Sequence, residues 1–308
     1  MVDRYKNLDD ISNIKSFKDM MRWNKERRSK KKDLTAQIPQ TNNKQTAELQ
    51  VNKNKTTITW VGHSTFLIQI AGFNILTDPV WANWMGVQKR LTPPGISIEE
   101  LPDIDIVCIS HGHYDHLDFP SIKKLKGTPS FYVPAGLGGL FRKKGYRDVT
   151  EAKWWESFSY KGLEISFVPA QHWTRRSLLD TNTSHWGGWV LHDNSTAKTI
   201  YFVGDTGYFR GFKEIANRYT IDYVLMPIGA YEPEWFMADS HINPEDSIKA
   251  FLELKGKHFV PMHYGAYRLA DDTGPEALER LNTEWKRLGL PDDQLKTLAI
   301  GETIWDLS

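Results

Sequence analysis

The 308-residue sequence predicts an α/β fold, and three patterns lead to that prediction. Residues 56–77 have the pattern of a β meander, in which β-branched and aromatic residues are interrupted by the turn Ala71-Gly72. From about residue 100, apolar runs of strand length alternate with amphipathic runs of helix length. A hydrophobic content of 40% is enough for a substantial core. The length suits one large domain or two small ones.

The elements after the meander follow from the same patterns. The predicted strands are Ile104–Ser110, Ser130–Val133, Leu163–Val168, Gly188–His192, Thr199–Val203, Tyr223–Met226 and Phe259–Met262. The predicted helices are Phe119–Leu125, Leu137–Lys144, Phe212–Tyr219, Pro244–Leu254 and Pro275–Leu288. Asn243 before Pro244 is a typical helix start, and Asp118 is expected to cap the helix that begins at Phe119.

Residues 1–55 differ in composition from the rest of the chain, so we divide it into an N-terminal arm, 1–55, and a main domain, 56–308. Ile11, Ile14, Phe17 and Met21 recur at helical spacing and predict one helix over roughly 9–30. Residues 33–55 are expected to form a polar linker. Two interpretations of the helix remain open: its apolar stripe docks on the main domain, or its basic face binds a membrane surface.

Composition also limits the class of protein. A formal net charge of +1 disfavours a broad nucleic-acid-binding surface. The single cysteine, Cys108, lies in an apolar run and cannot form an intramolecular disulfide, so we expect a small buried side chain. We see neither a secretory signal nor an apolar run long enough to span a membrane. The sequence predicts a cytoplasmic protein, and it leaves open a peripheral membrane location and a homodimer.

Histidine and aspartate residues follow the ends of four predicted strands. The group comprises His111, His113, Asp115, His116, His172, Asp205 and His263. Five imidazoles and two carboxylates exceed the four ligands of one tetrahedral zinc and suit two adjacent metals. Nitrogen and oxygen ligands fit zinc, and also iron or manganese. The alternative, a purely structural histidine cluster, does not explain why three histidines lie within six residues.

A pair of metals indicates hydrolysis. Bound cations lower the pKa of water to about 7, and they neutralise the charge that develops on a phosphoryl or carbonyl oxygen. A carboxylate that bridges two cations holds them ~3.5–4 Å apart.

The motifs that carry these residues resemble the metallo-β-lactamase superfamily, and within it the branch of N-acyl-phosphatidylethanolamine-hydrolysing phospholipases D and their bacterial relatives. They are WVGHSTFLIQ, LTDPVW, SHGHYDHLD, QHWTRR, GDTGY and PIGAYEPEWFM, and the resemblance covers roughly residues 56–305. It implies a four-layer αββα sandwich with two metal ions at the sheet edge. It assigns His111, His113 and His172 to one metal and Asp115, His116 and His263 to the other, with Asp205 as the bridge.

Further residues have predicted roles at this centre. Asp78 is expected to orient a ligand imidazole, although an Asp before Pro79 is also typical of a turn. His63 is expected to face the site. His241 is predicted to contact the substrate phosphate or protonate the leaving group, and Tyr114 to line the substrate pocket. Asp115 is predicted to be catalytic as well as a ligand.

The leading functional hypothesis is a phospholipase D-type phosphodiesterase that acts on N-acyl-phosphatidylethanolamine or related glycerophospholipids. Trp81 and Trp84 lie near Lys89 and Arg90, a combination that suits lipid headgroups, although such rings also cover cores. The alternative enzyme is a lactone or sugar-phosphate lactone hydrolase on the same centre. An apolar cleft would favour the lipid, and a short cleft ringed by Arg and Lys the sugar phosphate. A nuclease is a third enzymatic option, which the near-neutral net charge disfavours. A non-catalytic metal-binding or membrane-scaffolding protein is the alternative from another class.

Overall fold

The computed structural model describes residues 4–13, 15–30, 32–33 and 35–305. The helices are α1 (Phe17–Ser29), α2 (Thr46–Val51), α3 (Phe119–Ile122), α4 (Gly138–Lys143), α5 (Gly211–Ala216), α6 (Glu234–Met237), α7 (Pro244–Leu254) and α8 (Gly274–Arg287). The strands are β1 (Thr57–Gly62), β2 (Thr65–Ile70), β3 (Phe73–Thr77), β4 (Trp84–Met85), β5 (Gln88–Lys89), β6 (Ile104–Cys108), β7 (Gly127–Pro134), β8 (Val149–Ala152), β9 (Ser157–Tyr160), β10 (Leu163–Val168), β11 (Gly188–Asp193), β12 (Lys198–Phe202), β13 (Tyr223–Pro227), β14 (His258–Met262) and β15 (Thr303–Trp305).

The strands form two large sheets and one short hairpin. The seven-stranded sheet has the order β15-β1-β2-β3-β6-β7-β8, the six-stranded sheet has the order β14-β13-β12-β11-β10-β9, and β4 pairs with β5. Each large sheet combines an antiparallel half with a parallel half, in which β3, β6, β7 and β8, or β12, β13 and β14, run together. Parallel strands end at the same edge of a sheet, so the chain leaves them close to one site.

Strand β2 shows how the layers are built, because successive side chains point to opposite faces of a sheet. Phe66 and Ile68 join the core between the two sheets, which also contains Phe167 of the six-stranded sheet. Leu67 joins a second core with Phe141 of α4 on the outer face. Helices α7 and α8 pack on the other sheet, where Phe251 and Trp285 contact Phe259 of β14. The predicted α/β class and its four-layer αββα arrangement are confirmed.

Several predicted helix boundaries agree with the structure because the capping residues specify them. Asn243 accepts a hydrogen bond from the backbone N–H of Asp246, and α7 has the predicted bounds. Asp118 accepts one from the backbone N–H of Ser121 at the start of α3. The helices near residues 119–125 and 212–219 end earlier than predicted.

The N-terminal helix differs from the prediction in length and in the face that it buries. It begins only at Phe17, because Ser16 and Asp19 form a capping box that stops the helix there. Ile11, Phe17 and Met21 of the predicted stripe are exposed, and Ile14 lies outside the described residues. Trp23 is buried instead, packing on Phe236 with ring centroids 4.9 Å apart. The helix therefore docks on the main domain through a residue that the stripe did not include.

The stretch 33–55 was expected to be a polar linker, but it contains a helix and two core residues. Leu49 of α2 and Ile38 are buried, and Gln40 forms a β bridge with Ile300. The composition of this stretch gave no signal for the burial of Ile38 and Leu49, because most of their neighbours along the chain are polar. The division of the chain at residue 55 remains an interpretation.

Two other expectations can be compared with the structure. Cys108 is fully buried on β6, as predicted, and burial raises the pKa of its thiol. Among the helices of the described residues, none combines the length and the apolar character needed to cross a membrane.

Candidate metal centre

Strand ends deliver most of the predicted residues to one buried place between the sheets. Asp78 follows β3, His111 follows β6 after two residues, and His263 follows β14 directly. Asp78, His263 and His63 have positive φ angles of 35°, 63° and 56°. Such angles are uncommon for residues other than glycine and tend to occur where surrounding structure holds a functional side chain in place.

We call His111, His113 and His172 the first cluster. His111 Nε2 lies 2.8 Å from His113 Nδ1, and His172 Nε2 lies 3.2 Å from that same atom. One ligand atom from each of the three side chains falls within 4.8 Å of the other two. The resemblance assigned these three histidines to one metal, and the structure brings them together.

We call Asp115, His116 and His263 the second cluster. His116 Nε2 lies 3.3 Å from His263 Nε2 and 3.3 Å from Asp115 Oδ2. His63 joins this group, with its Nε2 3.1 Å from the same Asp115 oxygen. The structure therefore places His63 as near to the carboxylate as the two predicted ligands are.

Asp205 lies between the two clusters. Its Oδ2 is 3.1 Å from His116 Nε2 and 3.9 Å from His172 Nε2, and its Oδ1 is 3.0 Å from His263 Nε2. A carboxylate in this position can reach a cation in either cluster. The arrangement suits the bridging role that the resemblance implies.

Asp78 orients one histidine of each cluster, His116 directly and His111 through Ser110. Its Oδ2 accepts hydrogen bonds from His116 Nδ1 at 2.7 Å and from Ser110 Oγ at 2.6 Å, and its Oδ1 accepts one from the Ser110 backbone N–H at 2.7 Å. Because the Ser110 hydroxyl donates to Asp78, it accepts from His111 Nδ1 at 2.9 Å. Both histidines are thereby turned so that Nε2 faces the centre.

The other predicted residues border the centre. His241 Nδ1 is 3.8 Å from Asp205 Oδ2, and the His241 ring lies against the rings of His172 and His263. Tyr114 is 55% exposed, and its hydroxyl donates to the carbonyl of Arg176 at 3.0 Å. It lines a cavity of about 480 Å³ together with Ala82, Trp84, Met85, Gly86, His113, Asp115 and Asp118.

The two clusters differ in their protonation. Burial lowers the pKa of His113 to about 4, and it lowers the pKa of His111 and of His172 well below the usual value. Burial also opposes charge on His116 and His263, but the nearby carboxylate of Asp205 overrides it. The pKa of His263 rises to about 9, and that of His116 rises well above its usual value.

The carboxylates respond in the opposite direction. Burial by itself would raise the pKa of Asp115 and Asp205, but the charge of His116 and the hydrogen bonds from His116 and His263 hold both well below the usual value. Burial lowers the pKa of His63 to about 3 and that of His241 to about 4. Without a cation, the second cluster therefore consists of imidazolium–carboxylate pairs.

The donor set fits metal ions. The five imidazoles of the two clusters present ring nitrogens to shared points, and the buried His113 Nε2 has no hydrogen-bond partner among the described residues. Two carboxylates supply negative charge at the same place. Nitrogen and oxygen donors at this spacing would hold zinc, iron or manganese. The identity and number of the metals remain predictions.

Three residues that contact the centre were not assigned a role from the sequence. Ser110 connects Asp78 to His111, and Asn7 bonds the backbone of His172. Arg176 donates to the carbonyls of Gly112 at 2.8 Å and Leu117 at 3.0 Å, which supports the histidine loop. Arg176 and Ser110 lie inside the motifs QHWTRR and SHGHYDHLD, so their position was a usable signal. Asn7 had no such signal.

Arg90 and Trp81 are not part of the exposed surface that was predicted to face lipid headgroups. Arg90 is buried, and its guanidinium donates to the hydroxyl of Tyr267 at 2.6 Å and to the carbonyl of Thr92 at 2.9 Å. Trp81 Nε1 donates to the carbonyl of Ile96. Only Trp84 and Lys89 of that predicted group are exposed. The carbonyls of the loop attract the arginine inward, which sequence spacing does not reveal.

Comparisons with known proteins agree with this geometry. The family model described as the beta-lactamase superfamily domain matches residues 73–264. The chain is 35% identical over 272 residues to N-acyl-phosphatidylethanolamine-hydrolyzing phospholipase D 1 of Caenorhabditis elegans. The aligned region covers 81% of this chain and 75% of the relative. The chain belongs to the metallo-β-lactamase superfamily. The resemblance inferred from the motifs is thereby confirmed, and the protein is a metal-dependent hydrolase.

Other metallo-β-lactamase relatives extend the comparison. The mitochondrial N-acyl-phosphatidylethanolamine-hydrolyzing phospholipase D of Saccharomyces cerevisiae is 35% identical over 245 residues, or 74% of this chain. The chain spans about half of that relative, 52% of its length. The solved structure of Igni18, a metallo hydrolase of Ignicoccus hospitalis, superposes with a TM-score of 0.62 at 23% identity, covering 82% of this chain and 98% of Igni18. That likeness concerns the fold alone.

Proposed function

We propose that this metallo-β-lactamase-fold hydrolase is a phosphodiesterase of phospholipase D type. Its proposed substrate is N-acyl-phosphatidylethanolamine or a related glycerophospholipid, and its proposed products are phosphatidic acid and the N-acylethanolamine. The observation that carries the proposal is the pair of clusters that share Asp205 beside an apolar cavity. The worm and yeast relatives that bear this activity in their names support it.

The lining of the cavity favours a lipid over a sugar phosphate. Trp84, Met85 and Tyr114 line the cavity beside His113, and the lining contains neither lysine nor arginine. A neighbouring cavity of about 620 Å³ shares Tyr114 and contains Arg176, but that guanidinium is occupied with backbone carbonyls. We therefore retain the lactone hydrolase only as the outcome to be tested against.

The chain's residues can be assigned to the steps of this hydrolysis. A bound pair of cations would supply an activated water and neutralise the developing charge on the phosphate. Asp115 and His63 lie on the side of the second cluster, where the Asp115 carboxylate can accept a proton as the water attacks phosphorus. The phosphorus–oxygen bond to the ethanolamine then breaks, and the departing oxygen needs a proton.

We assign the donation of that proton to His241, whose Nδ1 lies 3.8 Å from Asp205 Oδ2. Burial lowers its pKa to about 4, so the free side chain is neutral at pH 7. A substrate phosphate beside the ring would raise the pKa, because a negative charge favours the imidazolium form. His241 would then bind the phosphate and donate to the leaving group.

Exposed apolar side chains beside the cavity suggest how a lipid would reach it. Val87 lies in the turn of the β4–β5 hairpin and is 87% exposed, and Trp84 of the same hairpin lines the cavity. Leu178 and Leu179 lie on the loop of Arg176 and are 90% and 85% exposed. Side chains of this kind bury themselves in the headgroup and acyl boundary of a bilayer. We expect a peripheral membrane contact through these two loops.

The test is a substrate panel with the metal-loaded protein. N-acyl-phosphatidylethanolamine in mixed micelles should release phosphatidic acid and N-acylethanolamine, measured by mass spectrometry, and Asp115→Asn should abolish both while the protein stays folded. Cleavage of a lactone but of no phospholipid, at any loading with zinc, iron or manganese, would contradict the proposal.

The membrane contact has its own experiment. Replacement of Leu178 and Leu179 with Glu should reduce turnover of the lipid in vesicles but leave turnover of a water-soluble phosphodiester unchanged. The double change Leu252→Glu and Leu288→Glu alters two exposed leucines far from the cavity and serves as the control. Equal loss for both substrates would indicate damage to the centre rather than to a membrane contact.

A further inference from the structure

We propose that the N-terminal segment of residues 4–13 together with Lys15, which we call the strap, is a component of the metal centre, and that Asn7 is a positioning residue for His172. The inference rests on the part of the proposed function that assigns His172 to a metal. It assigns a role at the centre to residues that lie outside the match to the superfamily model, which begins at residue 73.

The side chain of Asn7 is buried and uses its whole hydrogen-bonding capacity. Its Oδ1 accepts from the backbone N–H of His172 at 3.0 Å and from Trp186 Nε1 at 3.1 Å. Its Nδ2 donates to the carbonyl of Ile11 at 3.0 Å and to Asn13 Oδ1 at 3.1 Å. An amide offers two acceptor sites and two donor hydrogens, so all four are occupied.

These bonds complete the support of His172. Its ring Nδ1 donates to the carbonyl of Ser240 at 2.9 Å, which leaves Nε2 facing His113. The Ser240 carbonyl fixes the ring, and Asn7 fixes the backbone that carries the ring. A metal ligand that is held at both points keeps its nitrogen in place before the metal arrives.

The strap also connects the two loops that meet at His172. Asn13 Nδ2 donates to the carbonyl of Asp239 at 2.8 Å, and Lys15 Nζ lies 2.7 Å from an Asp239 carboxylate oxygen. Asp239 precedes Ser240 and His241. The same strap therefore binds the loop of His172 through Asn7 and the loop of Ser240 through Asn13.

The loop of His172 needs such support more than the other loops do. Residues 169–187, between β10 and β11, form the longest of the described segments without helix or strand that carry a candidate ligand. Loops longer than about 12–15 residues are uncommon in compact domains, and conformational multiplicity concentrates in them. The near end of the strap adds contacts to the same loop, where the Tyr5 ring stacks on His185 at 4.3 Å and the Tyr5 backbone N–H donates to Asn182.

The test compares zinc binding in three variants of the full chain. Asn7→Leu has a similar size but cannot accept from His172, so one of the two zinc equivalents should bind about tenfold more weakly, the low end of the effect typical of such supporting partners. Asn7→Asp keeps the accepting oxygen and loses the donors, so it should cost stability but keep the wild-type zinc affinity. Chelator competition on the metal-free protein measures both equivalents, and the visible spectrum with Co²⁺ reports the changed geometry.

Asn74→Leu is the matched control. Asn74 is another buried asparagine, which donates to the carbonyl of Asp103 at 2.8 Å and accepts from Gln69 at 2.8 Å, at the end of β3 opposite to Asp78. It should lose thermal stability without change in either zinc affinity. Asn7→Ala gives the same comparison if Asn7→Leu does not fold.

Zinc affinities of Asn7→Leu, or of Asn7→Ala in its place, that equal those of Asn74→Leu would overturn the inference and make Asn7 a purely structural residue. A wild-type protein that binds two zinc ions but cleaves no phospholipid would remove the proposed substrate and leave the role of Asn7 intact. A wild-type protein that binds no zinc, iron or manganese would contradict both.

Discussion

The two clusters of the centre lie side by side but are held by different forces. The first cluster is held by neutral partners: the Ser110 hydroxyl, the Ser240 carbonyl and the Asn7 amide. The second cluster is held by charge, because His116 and His263 face the carboxylates of Asp115 and Asp205. One half therefore resembles a hydrogen-bonded network and the other a set of buried ion pairs.

This difference determines what each half must do when a cation binds. The imidazoles of the first cluster are neutral at pH 7, so their nitrogen lone pairs are available at once. The protons on His116 and His263 must leave before those rings can become ligands, because ligating imidazole is neutral. The protons occupy the place that a second cation would take. We infer that this superfamily centre combines a preformed half with a half that would exchange protons for metal.

Asp205→Asn should have the largest effect, because this carboxylate is common to both halves. The amide loses the negative charge that neutralises His116 and His263, and it would lose the bridging role that the resemblance implies. We expect activity to fall by more than the roughly 10- to 100-fold that outer partners of a metal cost. Hydrolysis rates and metal content measured together would check this.

Asp193→Asn is a suitable control for that variant, since Asp193 is a buried carboxylate on β11 that only caps Ser195 and Thr196. Two tightly bound metals and near-normal turnover in Asp205→Asn would show that the two clusters work independently and would contradict a shared role for Asp205.

Asp78→Asn should come next. An amide nitrogen can replace the carboxylate oxygen that faces His116 Nδ1, and the ring would then carry its hydrogen on Nε2 and lose a ligand atom. We expect a roughly 10- to 100-fold weaker metal affinity in the second cluster. Metal affinity is measured by titration in this variant and in the control Asp222→Asn, which changes a buried carboxylate near β12. An equal loss in both clusters would show that Ser110 transmits the change to His111.

The elements that the sequence predicts well are those in which local chemistry and burial agree. Asn243 and Pro244 specify the start of α7, and the apolar run from Ile104 leads directly to His111. Six of the seven predicted ligands follow β6, β12 or β14, which belong to the parallel halves of the sheets, and His172 follows the antiparallel strand β10. The site was therefore predictable from positions along the chain, even though ligation itself stays a prediction.

The contacts that escaped prediction involve distant segments. Asn7 meets His172 across 165 positions, and Arg90 meets Tyr267 across 177. Neither contact has a local period or motif, since each depends on where loops cross after the sheets have formed. In α1, the exposed stripe and the buried Trp23 show the same limit, because tertiary packing selected a different face from the one that spacing favoured.

Metal affinity should depend on pH differently in the two clusters. It should change by about tenfold per pH unit for each proton that metal binding releases. The pKa of His263 is about 9 and that of His116 is raised well above its usual value, so both protons must leave at pH 7, and the affinity of the second cluster should rise with pH through about 9. The pKa of His113 is about 4, so the first cluster should show little change above pH 5. The folding stability of the metal-free protein should change with pH in the opposite direction. Protonated His263 stabilises the folded state, and this stabilisation should be lost as the pH rises from about 6.5 through 9.

Calorimetry of zinc binding in buffers with different ionisation enthalpies would count the protons released at each site. One equivalent that releases protons and one that does not is the expected result. Equal release from both equivalents would remove the distinction between the clusters.

Ser110→Ala should have the smallest effect, confined mainly to the first cluster. His111 Nδ1 would lose its acceptor, while Asp78 would keep its bonds from His116 and from the backbone of residue 110. A buried donor without a partner costs about 1–3 kcal/mol of folding free energy, and the His111 ring becomes free to turn. Denaturant unfolding should show that loss, and zinc affinity should fall a few-fold at the equivalent that releases no protons.

Ser247→Ala removes a buried hydroxyl in α7 and should match the stability loss without the change in affinity. If affinity falls instead at the proton-releasing equivalent, then Ser110 acts through Asp78 on the second cluster, and the neutral half is less independent than its hydrogen bonds indicate.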